Sequence, residues 1–160
     1  MPTTATEVQR IDDQLERAYR KGAWSGPTVL ETLEGVTAKA AAAHPIEDAH
    51  SIWEITLHIG VWKHVVTRRL MGEPMSDVPP EMDWPTVTDT SDAAWRRALA
   101  ELEARHQELR KVLAELRDDQ LDQPPTKAGS SRYVQLHGVI QHDLYHAGQI
   151  AVLKKGLIVA

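Results

Sequence analysis

Four stretches of this chain carry apolar side chains at three- and four-residue intervals, the period of a helix with one buried face. Residues 4–21 align Val8, Ile11, Leu15 and Ala18, and that helix stops near Gly22. Residues 28–34 read as a short helix, Gly35 as a break, and Thr37 as the cap of an alanine-rich turn that Pro45 ends. The second long helix spans 51–71. Residues 72–90 hold four of the nine prolines and no helical period, which predicts a long ordered loop. Loops of this length in compact domains often serve as lids or pocket walls. Trp84 either anchors this one or packs as a simple aromatic. Thr90 or Ser91 caps the third long helix, which runs through Trp95, Leu99, Leu102, His106, Leu109, Leu113 and Leu116 to Arg117. Residues 118–130 are loop, and Ser130 or Ser131 caps the last helix, 133–155, with an apolar tail after Gly156 expected to dock. The expectation is an all-α fold: a four-helix bundle forming one domain over residues 1–160, with its long loop between the second and third long helices. Bundles of this kind build cofactor sites from side chains on facing helices.

The last helix is apolar over most of its circumference. At about 100° per residue, His137, Gln141, Gly148 and Lys155 fall into one narrow polar stripe, and the midpoint of His142 and His146 lies roughly 140° away from it. Both imidazoles therefore point inward, one turn apart, as one helix presents two ligands to one metal. An unpaired buried polar group costs roughly 1–3 kcal/mol, and a metal would satisfy both rings. On the second long helix, Ile55, Val61, Trp62 and Val65 lie within roughly 60° of His58, whereas Trp53, Gly60, Lys63 and Thr67 face away from it. His50 and His64 are rotated off, so His58 is the histidine of that helix that looks inward. Alone it reads as a core histidine; with His142 and His146 it makes three imidazoles without a carboxylate or thiolate. His106, on the apolar stripe of the third long helix, is a further candidate ligand that reads more readily as core.

Metal-bound histidines usually donate their other N–H to a carboxylate or carbonyl. Glu54, one turn before His58 and within roughly 40° of it, is the first candidate to orient that ring or shuttle protons. Gln149, one turn after His146, is the second. Asp143 stands to one side and reads as a tether to a neighbouring helix; Tyr145 and Trp62 either line a pocket or pack. Three neutral imidazoles leave a +2 charge uncancelled and a coordination position open, the arrangement of catalytic rather than structural zinc. Such a charge lowers the pKa of bound water to roughly 7 and deprotonates a bound thiol. Imidazole suits several transition metals, so the metal stays open.

Composition narrows the partners. The 160 residues are 42% hydrophobic, enough for one sizeable core. A net charge of −5 offers no basic face to nucleic acid or to an anionic membrane. No run approaches the ~20 apolar residues of a membrane span, and the opening MPTTATEVQR has no signal pattern, so a cytoplasmic location is expected. There is no cysteine. Disulfides, thiolate ligands and a cysteine nucleophile are excluded, and any thiol chemistry must use a thiol that the substrate brings.

The segment SIWEITLHI (51–59), the tripeptide DWP (83–85) and above all LHGVIQHDLYHAGQIAVLKK (136–155) resemble the DinB-like superfamily of damage-inducible and YfiT-like four-helix bundles, over nearly the whole chain. The resemblance implies that His58, His142 and His146 bind one divalent metal, commonly nickel or zinc, with iron or manganese also admitted, and that protomers pair as homodimers. Several members resemble S-transferases or isomerases that use glutathione, mycothiol or bacillithiol. The expected function is thus a metal-dependent transferase or hydrolase that activates a small-molecule thiol for attack on an electrophile. The alternatives are a non-catalytic metal-binding stress-response dimer and a metal-free histidine network.

Overall fold

The computed structural model describes residues 4–75, 77–127 and 129–159, the side chains of 158 and 159 excepted. Short polar side chains start most of its helices: a hydroxyl at Thr6, Thr28, Thr37, Ser51 and Ser91 accepts a hydrogen bond from a backbone N–H in the first turn that follows. The helices are α1 (Glu7–Tyr19), α2 (Val29–Leu33), α3 (Ala38–Ala42), α4 (Ile52–Leu70), α5 (Pro80–Asp83), α6 (Asp92–Ala114) and α7 (Arg132–Val159), with a 3-10 turn at Asp118–Gln120. Among the described residues there is no strand, and no helix is long and apolar enough to cross a membrane.

Helix α4 is the centre of the packing, touching α3, α5, α6 and α7, while α1 lies across α6 and α7. Trp53, Gly60, Lys63 and Thr67, on the side of α4 opposite His58, are as buried as the His58 side. A helix with neighbours on every flank has no solvent stripe.

The apolar core falls into two clusters. One gathers Tyr19, Ile52, Ile55, Ile59, Trp95, Leu102, Ala147 and Ile150; the other Val8, Ile11, Leu15, Val66, Leu70, Leu109, Leu113, Leu136 and Ile140. Between them in the chain order of the long helices come polar residues: Lys63 on α4, His106 on α6 and Asp143 on α7, none of them exposed. Lys63 donates to Asp143 Oδ2 at 2.6 Å. His106 stacks on Tyr19 and its Nε2 donates to Glu16 Oε2 at 2.8 Å. A polar seam therefore crosses the bundle at mid-height, joining α4 to α7 and α6 to α1.

Two segments differ from the sequence reading. The connection after α4 is not loop throughout: Pro80 starts the four-residue helix α5, too short to register as a periodicity. Helix α7 continues past Lys155 through Gly156. A side chain at 156 would put its Cβ 3.2 Å from Pro45, so glycine there permits the 43–51 segment to lie against α7. Leu157 packs against the first cluster; the rest of the apolar tail, side chains 158–160, lies outside the described residues. The exposed stripe of α7 also differs, running through Val134, Gly138, Gln141, Tyr145, Gly148, Val152 and Lys155, with His137 half-buried beside it against Tyr133.

Candidate metal centre

His58 on α4 faces His142 and His146, which stand one turn apart on α7. His142 Nε2 lies 3.0 Å from His58 Nε2 and 3.0 Å from His146 Nε2. One nitrogen from each ring falls within 4.8 Å of the others, and among the described residues no other group of three or more His, Cys, Asp or Glu could hold a metal ion. His58 and His146 are buried and His142 partly so.

The outer nitrogens decide what the inner ones can do. His58 Nδ1 is 2.8 Å from the main-chain carbonyl of Asp83, and a carbonyl can only accept, so Nδ1 carries the proton. His146 Nδ1 likewise donates to Gln149 Oε1 at 2.6 Å. Both rings being neutral, their Nε2 atoms present bare lone pairs to His142 Nε2. His142 has one proton at most for two such neighbours, and its own Nδ1 has no partner among the described residues. A divalent cation held by the three inner nitrogens would satisfy them at once, and His142 Nε2 stands 3.0 Å from each of the other two.

Electrostatics agree with that fit. Burial pushes the His142 pKa down to about 3, with His146, His58 and Lys63 adding to the effect. Burial pushes His146 down to about 4, against the opposing bond to Gln149. His58 is also lowered, chiefly by burial, although Asp83 favours its charged form. All three shifts favour the neutral imidazole, with one nitrogen protonated and the other free, which is the form that ligates metal.

Glu54 is not where the sequence reading put it. It is the third residue of α4, and its carboxylate bends back to accept from Ser51 N at 2.7 Å while Ser51 Oγ accepts from Glu54 N at 3.1 Å. The same carboxylate meets His44 at 3.3 Å and His50 at 3.4 Å. The carboxylate is thus engaged by Ser51, His44 and His50 rather than by His58. The pattern S-x-x-E at 51–54 was the signal for this.

Asp83 takes the orienting place instead. Besides its carbonyl, its carboxylate sits 3.1 Å from His58 Nδ1 and accepts from Trp62 Nε1 at 2.8 Å. The next residue, Trp84, stacks on His58 with ring centres 3.8 Å apart, and His50 stacks on the far side of Trp84 at 3.5 Å. Helix α5 is thus a clip that fixes one ligand ring from the edge and from the face. Periodicity is blind to it, because only the residues DWP mark it. His106 does not join the histidines; it is occupied by Glu16 and Tyr19. Asp143 does tether a neighbouring helix, through Lys63. A cavity of about 460 Å³, open on one side, adjoins the three histidines and is walled by Trp62, Trp84, Val139 and the exposed Tyr145.

The fold and site together define an all-helical protein with three converging histidines that could hold a metal ion. A family model for the DinB superfamily matches residues 23–150, a span that includes all three, and the chain belongs to that superfamily. No curated protein and no solved structure matches it.

Proposed function

We propose that this protein is a divalent-metal-dependent S-transferase, built on a four-helix bundle, that binds a small cellular thiol at the three-histidine centre and directs it onto an electrophilic small molecule. The observation that carries the reading is the set of three inward Nε2 atoms whose outer nitrogens are already committed or enclosed, opening on a cavity of about 460 Å³. A divalent ion held there supplies the positive charge that turns a thiol into a thiolate at neutral pH. The chain's residues do the rest. Asp83 and Gln149 fix the tautomer and tilt of His58 and His146. Trp84 and Trp62 wall the cavity. The thiol S–H bond breaks and its proton leaves to solvent through the open side; as the sulfur forms its new bond to the electrophilic carbon, the bond from that carbon to its leaving group breaks, and the group departs with the electron pair through the same opening. With no cysteine in the chain, the thiol must come from outside.

Nickel and zinc are the metals we favour, with homodimeric protein in the cytoplasm as the working form. Metal analysis of the protein as purified, followed by a thiol-transfer screen with several cellular thiols, tests the reading. Protein that retains no transition metal after growth and reconstitution with nickel, zinc, manganese and iron refutes it. Stoichiometric metal without transfer to any electrophile would instead favour the non-catalytic metal-binding dimer.

A further inference from the structure

A second cavity, of about 560 Å³, lies between the 43–51 segment and α7, next to the metal centre through Tyr145 and Gln149. Its size suits a small organic molecule. Ile46, Ile55, Val152 and Leu153 supply apolar walls. Tyr145 lines both this cavity and the one over the histidines, and Gln149, whose Oε1 receives the His146 N–H, lines this one as well. Among its described lining residues the one formal charge is the carboxylate of Asp48, and there is no lysine or arginine. The outer wall is held in place: Pro45 rests on Gly156, and His50 is stacked on Trp84. A cavity held open in this way binds without first ordering its walls.

We propose that this cavity receives the apolar part of the electrophilic substrate, and that it selects an uncharged or cationic group over an anionic one. The assignment to substrate rests on the transferase reading; the cavity's affinity and charge preference do not. An apolar group seated here places the remainder of its molecule beside Tyr145 and at the edge of the three histidines. A carboxylate, sulfonate or phosphate on that group would meet Asp48 and find no lysine or arginine, and the one basic ring in the lining, His50, already faces the Glu54 carboxylate at 3.4 Å.

The test is a fluorescence titration of the purified protein with the uncharged dye N-phenylnaphthylamine and with its sulfonated counterpart, anilinonaphthalene sulfonate. Saturable binding of the uncharged dye is expected, tighter than that of the sulfonate by about tenfold, since like charge placed at a contact disfavours binding. Ala49→Phe, which fills the cavity from the 43–51 side, should weaken the uncharged dye by about tenfold. Ile46→Glu should do the same at a position already 42% exposed, where folding is little affected. Unfolding curves check that both variants fold, and their metal content should match that of the parent. Failure of the uncharged dye to saturate, indifference to both substitutions, or equal binding of the sulfonate overturns the proposal. Dye binding in protein that never takes up metal would refute the transferase reading while leaving the cavity's selectivity standing.

Discussion

Replacing Lys63 by methionine keeps most of its volume and removes its charge, and the outcome separates two views of the polar seam. Both members of the Lys63–Asp143 pair are 0% exposed and 2.6 Å apart, and Asp143 Oδ1 has no partner among the described residues. Burial pushes the Asp143 carboxyl up, and Lys63 is what pulls it back toward the ionised form. Lys63→Met therefore strands a carboxyl in the core, a loss of about 3–5 kcal/mol. For a chain of this length each kcal/mol moves the melting temperature by roughly 2–4 °C, so the midpoint should fall by roughly 6–20 °C. Lys63→Met combined with Asp143→Leu removes both charges together. That variant should recover to the parental stability or exceed it by about 1–4 kcal/mol. Urea and thermal unfolding of metal-free protein, followed by circular dichroism, give both numbers and the coupling between the sites. If the double variant is no more stable than Lys63→Met alone, the carboxylate of Asp143 does not depend on Lys63 and the seam is misread.

His146→Ala should abolish metal binding with helical content unchanged, whereas His137→Ala should retain metal; equal losses by metal analysis would refute the ligand assignment. Gln149→Leu removes the acceptor of the His146 Nδ1 proton and should weaken metal affinity by roughly 10–100-fold in competition with a chelator. The pKa of His106 is pushed down to about 4, chiefly by burial with Lys63 in the same direction, against 6.5 in the unfolded chain. As pH falls through that window the unfolded chain takes the proton first. The contribution is thus complete above pH 6.5 and is lost toward pH 4, at up to about 1.4 kcal/mol per pH unit. His106→Phe should flatten the fall of the urea midpoint between pH 7 and 5 by that amount, and an unchanged slope would show that the ring is charged in the folded protein. Light scattering should return twice the 17.9 kDa chain mass, and a monomer would refute the homodimer.

The all-helical class was legible because Val8, Ile11 and Leu15, or Leu102, Leu109 and Leu113, repeat at a period only a helix satisfies. The inward aim of His58, His142 and His146 follows from the same geometry, since the wheel needs only angles along one helix. What fixes the rings was less legible. Asp83 and Trp84 reach His58 through a four-residue helix that carries no period, and His50, which precedes α4, reaches the centre only by stacking on Trp84. Glu54 shared a face with His58, yet the local competition at the helix start won, because its carboxylate had a backbone N–H within reach at Ser51. Lys63 shows the limit of a wheel drawn for one helix: it faces away from His58, and only the packing of α4 on α7 shows that this direction is also interior.

The mid-height seam has a mechanical meaning as well. Apolar contacts tolerate sliding, because one branched side chain serves nearly as well as the next. Sliding any of the four long helices by one turn, about 5.4 Å, would unseat Lys63 from Asp143, leaving charges buried alone, or His106 from Glu16, leaving a buried imidazole without its acceptor. The seam thus works as a key cut for a single alignment of the rods, and it lies beside the place where rings from two of those rods have to meet.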